Sequence, residues 1–161
     1  MMVVAVGITS EEVRSRSGKA ERRSVRAAGE VRCLIVSGDA AFRNRLEAVA
    51  DLGGCASCSV PSDVSDLVAA VDGEFELVIV DIAHPIGARV NDTVEVAEEF
   101  AARPGSLLVV CGSGDSIDEE LWARQLGAWV YLPGVSHGDA LVSLFAEARR
   151  VGERRGSLVS I

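Results

Sequence analysis

Four consecutive apolar residues, Leu77-Val-Ile-Val80, followed at once by Asp81, constrain this chain more than any other feature. The run is too short for a helix and too apolar for a strand with one wet face, so it predicts a central parallel strand covered on both sides. Such a strand belongs to an open α/β sheet, whose carboxyl edge gathers loops and helix N-termini into the place where ligands bind. Asp81 sits at that edge. It is therefore a site candidate, and equally a residue that caps the turn after it, as Asp often does.

The rest of the chain repeats the pattern. Cys33-Leu-Ile-Val36 is a second apolar run, followed by Ser37-Gly-Asp39 and then by Phe42, Leu46, Val49 and Leu52 at helical spacing. Asp39 is a natural N-cap and Gly53-Gly54 a natural stop. Cys55–Val60 predicts a strand, and Ser62 or Asp63 caps a short helix through Val71. After Asp81 comes a loop over 82–91, then a helix from Asp92 that ends before Arg103-Pro-Gly105. Leu107–Val110 and Trp129–Leu132 are the last two strands, with helices around Ile117–Leu126 and Ala140–Ala148. Five strands alternating with five helices predict a five-stranded parallel sheet with right-handed crossovers and helices on both faces.

At 161 residues the chain holds one domain over 31–150 and two tails. Residues 1–30 read as a flexible basic arm, with a short helix expected at 10–16, and residues 151–161 as a C-terminal tail. Charge is distributed unevenly: residues 31–148 hold 19 Asp/Glu against six Arg, while both ends are net basic. An acidic body argues against nucleic acid as a ligand, except through the basic arm. No segment reaches the apolar length of a membrane span, and no leader is recognisable, so the expected location is the cytoplasm. Four cysteines suit a compartment that keeps thiols reduced.

Three segments, in this order and spacing, resemble the receiver domain of two-component response regulators over about residues 31–148. Asp81-Ile-Ala-His84-Pro85 is similar to that family's Asp-x-x-Met-Pro, with His for Met. CLIVSGDAAFRNRLEAVADLGG resembles the receiver opening, and LGAWVYLPGVSHGDAL resembles its Gly-Ala-x-x-Tyr-Leu-x-Lys segment. The resemblance implies a flavodoxin-like (βα)5 fold, Asp81 as phosphoacceptor, Asp39 in the acidic pocket and Tyr131 as the switch aromatic.

Departures from the pattern fall on the charges the family's chemistry uses. The paired acidic residues that help receivers hold Mg²⁺ fall here on Ser37 and Gly38, leaving Asp39 and Asp81 as weak metal ligands at best, since a hard cation needs several oxygens. The hydroxyl residue after the fourth strand aligns with Cys111, a poor hydrogen-bonding substitute, with Ser113 near enough to stand in. The family's lysine aligns with Gly134, and the only lysine of the chain is Lys19. The loop after Pro85 is about four residues longer than usual, which brings Arg89 near the site as a replacement cation.

These departures predict a degenerate, stand-alone pseudo-receiver of a phosphorelay system, not an enzyme, requiring no cofactor and holding Mg²⁺ weakly or not at all. It acts by contact with a protein, whether histidine kinase, downstream effector or second copy of the chain. The expected face is that of the fourth helix, fifth strand and fifth helix, where Trp122, Trp129 and Tyr131 are either interface anchors or core. The competing reading is a working Mg²⁺-dependent phosphoacceptor using Asp81, Asp39, Ser113 and Arg89. A cofactor-binding α/β module is the third: Asp81-x-x-His84-x-x-Gly87 is similar to the cobalamin-binding Asp-x-His-x-x-Gly, but its Asp–His interval is one residue too long. Cys55-x-x-Cys58 lies on a strand, where residues three apart point to opposite faces, which argues against redox or zinc chemistry. Gly112-Ser-Gly114 precedes a helix but lacks the spacing of a nucleotide fingerprint.

Overall fold

Alternation of apolar runs with amphipathic segments produces the architecture that the sequence predicts. The computed structural model describes residues 30–87, 90–134 and 138–158. Element order is β1 (Val31–Val36), α1 (Ala40–Leu52), β2 (Cys55–Ser59), α2 (Val64–Val71), β3 (Leu77–Asp81), α3 (Val90–Ala101), β4 (Leu107–Gly112), α4 (Ile117–Leu126), β5 (Val130–Pro133) and α5 (Gly138–Leu158). All strand pairs are parallel, in the order β2-β1-β3-β4-β5. The chain therefore reverses its winding between β1 and β3, and the crevice outside that pair is where such sheets place a ligand.

Strand periodicity divides the core into two layers. Residues 31, 33, 35, 77, 79, 109 and 111 pack with Phe42, Leu46, Leu141 and Phe145 under α1 and α5. Residues 34, 36, 78, 80, 108 and 110 pack with Leu67, Phe100 and Ala123 under α2, α3 and α4. Burial of each such Leu, Ile or Phe contributes about 1.5–3 kcal/mol, which is why β3 reads as an unbroken apolar run. Asp39, Asp63 and Ser116 cap α1, α2 and α4 with side-chain oxygens that accept backbone N–H groups.

Some boundaries differ from the sequence expectation. Helix α5 continues to Leu158, past the boundary placed at 150, because Val151 still packs on the α1/α5 layer and Arg149 pairs with Glu153 one turn on. Helix α3 starts at Val90, two residues early, and β4 extends through Gly112 because it pairs with β5 up to Pro133. The basic arm over 1–30 and the helix expected at 10–16 lie outside the described residues, as does Arg89.

Strand β2 is less regular than the sequence expectation. The β1–β2 register runs Val31↔Cys55, then Arg32↔Ser57 and Cys33↔Cys58. Ala56 is an extra residue in β2, where the register shifts by one.

Candidate functional site

Parallel register brings three side chains into one row at the carboxyl edge of the sheet. β1 and β3 pair Val36 with Val80, so Ser37 comes across from Asp81, and β3 and β4 pair Asp81 with Cys111. Asp81 is 3% exposed, and Ser37 and Cys111 are buried beside it. A carboxylate this deep needs a partner for each oxygen.

Asp81 finds four. Its Oδ1 accepts from the backbone N–H groups of Ala83 (3.1 Å) and His84 (3.3 Å), so the side chain caps its own turn. Its Oδ2 accepts from the Ser37 hydroxyl at 2.7 Å and lies 3.1 Å from His84 Nδ1. The Asp39 amide donates to Ser37 Oγ at 3.1 Å, which leaves the Ser37 proton for Asp81. Both carboxylate oxygens are thus occupied by the protein itself.

The loop after β3 closes over this arrangement. Gly38 donates its amide to the His84 carbonyl, and a Cβ on Gly38 would overlap the carbonyl oxygen of Pro85. Glycine is required here by close approach of two backbones. Ile86 is buried behind it, its amide donating to the buried Thr93 hydroxyl at 3.1 Å.

The other candidates are turned elsewhere. Asp39 spends its carboxylate on the N-terminus of α1, accepting from Ala41 (2.9 Å) and Phe42 (3.3 Å). Among the described residues no group of three or more His, Cys, Asp or Glu is placed to hold a metal ion. Ser113 donates its hydroxyl (3.0 Å) and its amide (2.7 Å) to Glu119 Oε2 of α4, away from Asp81. Cys111 lies in the apolar layer, its thiol pushed far up first by burial and then by the Asp81 carboxylate. It stays a neutral SH there.

Tyr131 joins the Ser113 group. Its ring packs on the α2/α3/α4 layer, and its hydroxyl lies 3.3 Å from the Ser113 carbonyl and 3.4 Å from Glu119. Burial raises its pKa, and the Glu119 charge and hydrogen bond raise it further. Trp122 and Trp129 are half-buried, each packed against one of the two core layers. Gly134, where the receiver lysine aligns, has φ +70°, a conformation a lysine adopts only under strain.

Ser37 and His84 are the site residues that the sequence reading did not assign. Ser37 stood only as a lost metal ligand and His84 as a loop residue, yet both bond Asp81. The signal was present in the register: in a parallel pair, the residue after β1 must come across from the last residue of β3. Arg43 also belongs here, donating to the Ser37 carbonyl at 2.7 Å.

No family model and no curated protein sequence matches the chain. Solved structures do. The chain is similar to a response regulator receiver domain protein from Methanospirillum hungatei JF-1, 20% identical, with a TM-score of 0.64 over 78% of this chain and 98% of that one. It is similar also to the REC domain of AraT, a response regulator from Geobacillus stearothermophilus, at 18% identity and a TM-score of 0.61, covering 78% and 97%. A response regulator receiver protein from Burkholderia phymatum gives 14% and 0.61, covering 75% and 96%.

Proposed function

Given that the chain has the flavodoxin-like fold of response-regulator receiver domains, we propose that it is a signalling protein of a two-component system acting by protein contact, with Asp81 serving as an internal hydrogen-bond hub. The observation that carries this reading is the state of Asp81. A phosphoacceptor carboxylate must present an oxygen to the donor and then share the product's charge with cations. Here the carboxylate is buried, four donors occupy it, and position 134 holds a glycine in the left-handed region instead of an amine.

A face for contact is supported by α4 and α5. Ile117 is 82% exposed and Leu121, one turn on, 52% exposed, with Val142 of α5 at 41%. Ile117 and Leu121 are neighbours on one helix face, and a pair of large apolar side chains left in water supports a contact surface on α4. The partner class is a histidine kinase or downstream effector. Among the described residues no helix is long and apolar enough to cross a membrane.

The experiment is intact mass after incubation with acetyl phosphate and Mg²⁺, wild type beside Asp81→Ala. No adduct on folded wild type is the expected outcome. A phosphoryl group that disappears in the variant would restore the conventional receiver reading.

A further inference from the structure

The helices on the two faces of the sheet differ in charge. Residues 39–52 and 138–158, which carry α1 and α5, hold six Asp or Glu and six Arg. Residues 63–74, 90–103 and 115–126, which carry α2, α3 and α4, hold twelve Asp or Glu and two Arg. Both of those arginines are paired within the layer, Arg103 with Glu99 and Arg124 with Glu120. Asp66, Asp72, Glu95, Glu98 and Asp118 are exposed. One side of the domain is thus an acidic layer, and the other side is neutral.

Positive charge in excess lies just upstream in sequence. Residues 14–26 hold five Arg and Lys19 against one Glu, and they join the domain through Glu30, at the start of β1. Helices that return between parallel strands run opposite to them, so the C-terminal ends of α2 and α3, with Asp72 and Glu98, lie at the same edge of the sheet as Glu30. At about 3.3–3.6 Å per residue, Arg26 reaches up to about 14 Å from Glu30 and Lys19 up to about 40 Å, more than twice the roughly 18 Å length of α3. Both layers flank β1, so reach does not choose between them. Charge does, and the tether presents the segment at an effective concentration of about millimolar, which favours it over a separate cationic protein.

We propose that residues 14–26 dock on the acidic layer of their own chain, over α2 and α3. The segment's net charge of +5 offsets half of the layer's −10, and the contact occupies that layer against cationic segments of other proteins. The inference rests on the charge of the two layers and does not depend on the state of Asp81.

Lys19 is the only lysine, so a carbodiimide, which joins an amine to a carboxylate without a spacer, reports where the segment lies. The full chain is treated at about 10 mM salt, where charges act over about 30 Å, and at about 1 M, where they act over about 3 Å; Lys19 cross-links are then mapped by mass spectrometry. At low salt the yield per carboxylate at Asp72, Glu95 and Glu98 is expected to be on the order of tenfold above that at Glu47, Asp51 and Glu153, exposed acids of the neutral layer. At high salt the two yields should become equal. Trypsin gives a second reading: cleavage within 14–26 is expected to be several-fold faster in the Asp72→Asn, Glu95→Gln, Glu98→Gln variant than in wild type. Equal yields on the two layers at low salt would overturn the proposal, as would a preference that salt does not change or wild-type and variant chains cleaved at one rate. In a mixture of ¹⁴N and ¹⁵N chains, cross-links between chains in place of those within one would overturn it too, because the occupant would then be a second copy.

Discussion

The Cα of Gly38 faces the carbonyl oxygen of Pro85 so closely that no side chain fits between them. Two loops, one after β1 and one after β3, are thereby held backbone to backbone. Position 38 is also where receivers carry one of their acidic residues, so charge and closure exclude each other at this spot.

Gly38→Ala is expected to destabilise the chain by about 1–3 kcal/mol, since the obstacle is backbone and not the end of a flexible side chain. Gly38→Asp adds a buried charge to the same overlap and costs more. Urea denaturation measures both, with Gly105→Ala, where a Cβ meets nothing within 4 Å, as the neutral control. Equal stability of all three proteins would mean that the loops are not clamped.

Ser37→Ala removes a 2.7 Å hydrogen bond to a buried carboxylate and is expected to cost about 1.5–3 kcal/mol. Asp81→Ala strands the Ser37 hydroxyl and two amides, a loss of roughly 3 kcal/mol or more. Because the two residues share one bond, the double variant should cost less than the sum of the single ones, by about 1 kcal/mol. Strict additivity in a denaturation cycle would show that Ser37 and Asp81 act independently.

Tyr131 is the only tyrosine, so ultraviolet absorbance of tyrosinate reads it alone. Burial and Glu119 raise its pKa above the ordinary 10.0. The folded state then holds the phenol proton more tightly than the unfolded state does, so this contribution to stability is complete below pH 10 and declines as pH rises through the folded value. Glu119→Gln should move the titration back toward the ordinary value. A wild-type midpoint at or below 10 would remove Glu119 and burial as its causes.

Cys111 and Cys33 are expected to resist N-ethylmaleimide in the folded chain longer than the partly exposed Cys55 does. Burial and the Asp81 carboxylate both keep the Cys111 thiol protonated, and the thiol is not the reactive form. Peptide mapping after timed labelling checks the order. Early labelling of Cys111 would show that the β3–β4 edge opens to solvent.

Much of the fold was legible in the chain, and physical reasons separate what was from what was not. Leu77–Val80 and Leu107–Val110 declare themselves as central strands because both their faces are covered. Asp39 and Gly127 mark helix ends through local chemistry. The Ala56 bulge was invisible, since it is defined by pairing with another strand and leaves no sign in composition. Asp81 stood out by position, but its partners did not: Ser37 lies 44 residues away, and only the register brings them together. Ser113 was assigned toward Asp81, although Glu119, six residues on, competes for it from the first turn of α4.

The left-handed backbone at Gly134 bears on how such a chain can change. A lysine placed there would meet a conformational penalty of about 1–2 kcal/mol before it gained any phosphate to bind. An acid at 38 meets the Pro85 carbonyl, and a freed Asp81 loses Ser37. Each of these single changes toward a more highly charged site is thus uphill. The arrangement is held at several points at once, and room for any side chain at 38 requires the loop backbone to move first.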